Sequence, residues 1–216
     1  MTGLMMKDFL VMRKALKSYL FIMACYVVLA WLDILNYSFI ITFIQVMIMV
    51  MPISAFAYDE QAKWDRYAMS LPLGRSKVVG ARYLFILLLT LFTMAVGLAT
   101  TAVVTLTGGT ETTEMLLTLE VSTTIGLLVP AIILPLSYKL GAERARPYLY
   151  AIIFIPTILV VLLARIDAID FSALKTLEGL TTAAIVGGAA LLPLAGLAVL
   201  AVSYLISCRV AAEKEY

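Results

Sequence analysis

Histidine is absent from this 216-residue chain. With it go the imidazole-based metal sites, catalytic dyads and proton relays that most often operate near neutral pH. Only two cysteines are present, Cys25 and Cys208. Their positions, one inside a hydrophobic run and one at the end of another, offer neither a metal-ligand spacing nor a structural disulfide. Charge is scarce as well: Asp, Glu, Lys and Arg make up 14% of residues, against roughly 25% in ordinary soluble domains. No G-x-x-x-x-G-K-[ST] run occurs, so the chain has no loop of its own to cradle the phosphates of ATP. Within the hydrophobic runs no Lys, Arg or Glu falls at mid-depth, which argues against an ion-coupled pump, whose usual mark is an intramembrane ionisable group.

What fills the chain instead is apolar surface. Hydrophobic residues account for 63% and the mean hydropathy is +1.03. Crossing a bilayer as a helix takes about 20 apolar residues, and six runs qualify: 18–37, 38–57, 83–107, 116–138, 148–164 and 181–207. The expected fold is therefore an all-α integral membrane protein with six transmembrane helices, a single transmembrane domain over 1–216 with no soluble or ATPase domain. The first two runs nearly fuse across Asp33 and Asn36, which predicts a helical hairpin with a very short outer turn. The N-terminal segment carries Lys7, Arg13, Lys14 and Lys17, followed by a run longer than a signal-peptide core and by no small-residue cleavage site, so it reads as a retained anchor.

Orientation follows from the basic residues of the short connections, which resist translocation. Fourteen of the sixteen Lys and Arg residues fall on one side of the six-run pattern, and only Arg165 and Lys175 fall on the other. The basic side is expected to be cytoplasmic, with both termini on it. Asp33 and Glu120 are read as residues of the outer interface near helix ends. Pro130, Pro135, Pro156 and Pro193 each remove a backbone donor inside a run. That is tolerated where a neighbouring helix or a polar side chain takes up the freed carbonyl. Ala184, Gly188, Leu192 and Gly196, beside Ala183 and Gly187, form a small-residue surface on the sixth run that lets another helix approach closely. Near the start, Met5, Phe9, Met12 and Leu16 fall within about 60° of one another on a helical wheel, with Lys7 and Lys14 on the other side. This predicts an interfacial helix over 1–17 lying at the cytoplasmic surface.

The most informative stretch connects the second and third runs: YDEQAKWDRYAMSLPLGRSKVVGARY, residues 58–82 with Tyr83 closing it. Asp59, Glu60, Lys63, Trp64, Asp65, Arg66 and Tyr67 form a mixed-charge run with helical spacing, and Trp64, Ala68 and Leu71 line one face at i, i+4 and i+7. Leu71-Pro72-Leu73-Gly74 breaks the pattern, and Arg75 to Arg82 leads into the third run. Connectors between bundle helices are usually about 2–8 residues long, and a surface helix meant only for anionic lipid would be mostly basic. The length and the balance of acids and bases point to a protein partner.

At these residues the chain resembles the permease subunits of bacterial type-2 ATP-binding-cassette exporters, in the pattern Asp59-Glu60, Trp64, Tyr67, Ser70-Leu71-Pro72, Arg75, Lys77-Val78-Val79 and Arg82-Tyr83. It is similar in particular to the small permeases that export phenol-soluble modulins, which are amphipathic bacterial peptides. Arg82 departs from the pattern, where Lys is the more usual residue. The resemblance implies a multi-pass protein of the bacterial cell membrane that pairs with a second permease copy. Each copy would engage a separate ATPase subunit through a coupling helix carrying Asp59, Glu60, Lys63, Trp64, Asp65, Tyr67, Leu71 and Pro72. ATP and magnesium would belong to that partner, with no cofactor bound by this chain, no catalytic residue and no nucleic-acid partner. Apolar and hydroxyl side chains, namely Met47, Thr93, Thr100, Thr101, Tyr138 and Thr157, are candidates to line the path of an amphipathic peptide. Two other classes stay open. A membrane enzyme would need a constellation of acids or a nucleophile, yet the acids here are scattered over the connections. A membrane immunity or interaction protein would need no ATPase.

Overall fold

The computed structural model describes residues 2–32, 34–64, 67–68, 75–106, 112–165 and 187–213. Among them there is no strand, and six helices follow one another: α1 (Thr2–Trp31), α2 (Tyr37–Gln61), α3 (Arg75–Leu106), α4 (Thr112–Leu140), α5 (Ala142–Arg165) and α6 (Leu191–Glu213). Five helical stretches are long and apolar enough to cross a membrane: Tyr37–Gln61, Ser76–Leu106, Thr112–Leu140, Glu143–Leu163 and Gly187–Glu213. The apolar part of α1, Ala15–Ala30, is shorter than these. The expected interfacial helix and first run are one unbroken helix, because no Gly or Pro between Leu4 and Trp31 interrupts the hydrogen-bond ladder. Its inward face is narrower than the predicted stripe. Met12 is fully buried and Leu16 packs beside it, whereas Phe9 is exposed.

The turn between α1 and α2 is as short as the sequence predicts. Asn36 caps α2, its side-chain oxygen accepting the Ser38 backbone N–H at 2.9 Å, a role that short amide side chains fill well. The connection between α4 and α5 is shorter still, a single residue. Gly141 sits at φ +90°, in the left-handed region where only glycine is unstrained. Its N–H reaches the Ser137 carbonyl at 2.8 Å, closing α4 as α5 begins.

Helix α4 is the centre of the bundle, packed against α2, α3, α5 and α6. Leu127, Ala131, Leu134 and Tyr138 on α4 meet Ile48 and Phe56 on α2, Val79, Tyr83 and Ile86 on α3, and Leu200 and Ala211 on α6. Glycines set the closest approaches. A Cβ at Gly126 would stand 3.3 Å from the Gln45 backbone oxygen, and one at Gly196 would stand 3.3 Å from Leu127. In lipid, where apolar surface alone gives little drive for association, such small residues decide which helices pack. The small-residue surface of the sixth run thus divides: Gly196 packs on α4, whereas among the described residues nothing lies within 4 Å of where a Cβ at Gly187 or Gly188 would stand. Ala183 and Ala184 lie outside the described residues.

Pro135 and Pro193 are accommodated in two different ways. Pro135 lacks the N–H that would have bonded the Ala131 carbonyl, and Ser203 Oγ of α6 donates to that carbonyl instead at 2.5 Å. Ser203 has one hydrogen to give, so its oxygen accepts from the Tyr83 hydroxyl, 2.7 Å away. Tyr83 in turn accepts from Ser207 Oγ at 2.7 Å. One proton-ordered chain therefore ties α3, α4 and α6. Two more prolines, Pro52 in α2 and Pro147 in α5, are also inside helices. Pro193 falls in the first turn of α6, just after a turn at Ala190 interrupts the helix, where a missing N–H is least harmful. Glu120 lies in the third turn of α4 rather than near its end, with its Oε2 atom buried and unpaired. Asp33 lies outside the described residues.

Candidate functional site

The basic end of the bundle holds the polar residues singled out by the sequence, and the fold gives them two different jobs. Helix α2 runs on through Tyr58, Asp59 and Glu60 to Gln61. It stops there because Lys63 adopts a positive φ of 52°, a conformation that ends a right-handed helix. The expected continuous helix over 58–72 is therefore broken after Gln61. Its two leading acids belong to the end of α2 and face the bundle.

Asp59 is the hub of that end. Buried, it accepts from Lys7 Nζ at 2.7 and 2.6 Å through its two carboxylate oxygens and pairs with Arg82 Nη2. Asp8, also buried, lies 3.0 Å from Lys7 Nζ and 3.6 Å from Arg82 Nη1. Two carboxylates and two cations from α1, α2 and α3 thus form a charge-balanced knot, the arrangement that makes buried ions tolerable. The geometry suits Arg82 better than the Lys that the resemblance leads one to expect. A planar fork can reach Asp8 with one arm and Asp59 with the other, which a single ammonium cannot do from one position. The guanidinium also sits 5.7 Å from the Phe56 ring centre, within cation–π range.

Glu60 points the other way around the α2 terminus. Its Oε2 accepts the backbone N–H of Glu143 at 3.3 Å, and its Oε1 lies against Gly141, 2.6 Å from where a Cβ would stand. A carboxylate at the first turn of α5 satisfies an unpaired N–H and complements the positive end of the helix dipole. Asp59 and Glu60 therefore act within the chain, joining the α2 terminus to α1, α3 and α5.

The next residues lie nearer the surface. The Trp64 and Tyr67 rings lie 5.1 Å apart at 48°, Tyr67 exposed and Trp64 half-buried. Lys7 Nζ sits 4.6 Å from the Trp64 ring centre, so the cation that binds Asp59 also holds the aromatic pair. Lys63 is exposed beside them and Ala68 is buried. Asp65, Leu71 and Pro72 lie outside the described residues.

The candidate path residues do not share one surface. Met47 borders an apolar groove between α1, α2 and α3. Thr93 and Thr101 are buried and Thr100 is half-buried, each donating to a carbonyl of its own helix at 2.9–3.0 Å. Thr157 is exposed on α5 and bonds the Ile153 carbonyl at 2.7 Å. Tyr138 is buried in the core, edge-on to Phe56 at 4.9 Å. In an apolar setting a hydroxyl that finds its partner on its own helix leaves little to offer a passing solute.

Asp8 and Lys7 are the site residues that sequence reasoning passed over. A signal was present: Asp8 lies about 40° from Met12 on a helical wheel, an acid on the face that the apolar residues mark as inward. Taken as part of a basic anchor, it loses that meaning.

No curated protein and no solved structure matches the chain. The sequence profile of the ABC-2 family transporter proteins matches residues 3–211, nearly the whole length and all six helices. With the multi-pass helical fold, this shows that the chain belongs to the ABC-2 family of transporter proteins, as a permease component whose partner is an ATP-binding subunit.

Proposed function

We propose that this permease exports amphipathic peptides from a bacterial cell, working as a pair of permease copies with both termini cytoplasmic, each copy driven by a separate ATPase. The observation that carries the coupling is the Trp64–Tyr67 pair just beyond the end of α2, held by Lys7 to the buried Asp59–Arg82 ion pair. Paired aromatics at a surface are the usual anchors of a protein interface. The aromatic pair docks in a groove of the ATPase. Closure of the ATPase then displaces it, and the displacement reaches α3 through Asp59 and Arg82 rather than along one continuous helix. ATP favours one access state over the other by this differential contact.

The cargo reading rests on the resemblance and on the apolar character of the helices, where a strongly ionic solute would be costly to bury unpaired. Trp64→Ala should weaken association with the ATPase by about 2 kcal/mol, measured by copurification and titration, with expression and insertion unchanged. Wild-type yield of the complex with normal transport would move the docking site elsewhere. With the ATPase reconstituted in nanodiscs, an amphipathic helical peptide should stimulate hydrolysis more than a scrambled peptide of equal composition. Equal stimulation would remove amphipathic peptides as cargo.

A further inference from the structure

An apolar groove runs between α1, α2 and α3, with a volume of about 830 Å³. That is within the roughly 300–1,000 Å³ typical of ligand pockets. Its floor is made by Met47 and Met51 of α2 and Leu89 of α3, and its rims by residues of α1 and α3 that are themselves exposed, Phe9, Leu20, Leu88 and Phe92. Only two lining residues are charged. Arg13 and Lys17 stand one turn apart on the same face of α1, exposed, and neither has a salt-bridge partner among the described residues.

The groove has a direction. Along α1 the lining runs from Met5, Met6 and Phe9 past Arg13 and Lys17 to Met23, which packs with Ile44 of α2 and Val96 of α3 in one cluster. From Arg13 to Met23 is ten residues, about 15 Å of helix, and from Phe85 to Val96 is about 16 Å. Half the hydrocarbon thickness of a bilayer is also about 15 Å. The stretch from Arg13 to Met23 is therefore about as long as one leaflet is deep, with Arg13 and Lys17 at its basic side and Met5, Met6 and Phe9 continuing the groove beyond them towards the start of α1.

We propose that this groove seats one anionic phospholipid, its acyl chains against the Met47, Met51 and Leu89 floor and its phosphate between Arg13 and Lys17. Any transmembrane surface is wetted by lipid. Here an apolar recess carries only two charges among its described lining residues, and both are of one sign. An anionic headgroup neutralises them, whereas a zwitterionic one brings its own cation, and a basic peptide would meet repulsion at the mouth. Basic pockets between helices on the cytoplasmic side are a recurrent form of lipid recognition. The proposal uses the orientation argued above and is independent of the cargo.

The full-length chain, extracted from nanodiscs containing equal phosphatidylglycerol and phosphatidylethanolamine, should retain one phosphatidylglycerol in native mass spectrometry. Arg13→Gln with Lys17→Gln should weaken that retention about thirty-fold, each basic side chain near a headgroup contributing about fivefold. Leu88→Trp, which fills the groove without touching charge, should reduce retention as well. Arg144→Gln with Arg146→Gln, two exposed cations on α5 outside the groove, should leave it unchanged. Equal retention of the two lipids, or an equal loss from the Arg144 and Arg146 pair, overturns the proposal. So does one-for-one displacement of the lipid by an amphipathic helical probe peptide whose binding ignores Arg13 and Lys17, which would make the groove a peptide site.

Discussion

Helices α2 and α5 are both apolar enough to cross a membrane, yet the fold treats them in opposite ways. Just over half of the most apolar window of α2 is buried inside the bundle (56%) and none of that of α5. On α2, Ile41, Ile44, Ile48 and Met51 are enclosed, while on α5 Phe154, Ile155, Ile158 and Leu159 are exposed. Apolarity does not separate them because lipid tails are as apolar as leucine, so burial between helices and burial in lipid are nearly equivalent for these side chains. The difference lies in what else each helix carries. Opposite α2 is Gly126, which lets the backbones of α2 and α4 close up, and at its end Asp59 and Glu60 bind three other helices. Helix α5 is tethered by the one-residue Gly141 connection and by Glu60, and its apolar length is left facing outward. A helix is central in this bundle because of its small and polar contacts, and peripheral for want of them.

The sharpest way to break the comparison is to remove the charge that holds the end of α2. Arg82→Met leaves Asp8 and Asp59 buried with only Lys7 between them, and losing one member of a buried ionic set costs about 3–5 kcal/mol. Thermal unfolding in detergent should show the loss, and Arg82→Lys should recover only part of it because an ammonium cannot fork. A Met variant as stable as the parent would mean that the knot is not what places α2. Next, Ile48→Ala opens a cavity where α2 meets α4, with an expected loss of about 2–5 kcal/mol. A loss below 1 kcal/mol would show that neighbouring helices collapse into the space. Ser203→Ala strips the donor from the carbonyl freed by Pro135. Interhelical hydrogen bonds in membranes average about 0.6 kcal/mol with a maximum near 1.7, so about 1 kcal/mol is expected, together with a Tyr83 hydroxyl that exchanges faster. The smallest effect belongs to α5: Ile158→Ala should change stability by less than about 0.5 kcal/mol. A loss comparable to that of Ile48→Ala would show that a second copy covers α5.

Much of the architecture could be read from residue types. The positions of the apolar helices, the tight turn capped at Asn36, and the need for a neighbour to satisfy a proline-freed carbonyl all follow from local chemistry. The donor itself, Ser203, is 72 residues from Ala131, and no local pattern names it. The charged connection was legible as a site but not in its division of labour. Asp59 and Glu60 share the spacing of a surface helix with Trp64 and Tyr67, and only the break at Lys63 separates them. The threonines offered the reverse lesson. They look available in sequence, yet each satisfies itself on the preceding turn.

The sequence by itself determined that this chain is built for a bilayer and which end carries its basic charge, and it offered residues 58–83 as a stretch resembling exporter permeases. Hydropathy, charge asymmetry and short motifs are all written within a few turns of chain. Tertiary structure decided that Asp8, Asp59, Lys7 and Arg82 neutralise one another, that α4 is central and α5 peripheral, and that an apolar groove with two cations opens beside α1. Each of those depends on residues far apart in the chain meeting in an environment where an unpaired charge is costly and apolar surface alone does not choose a partner.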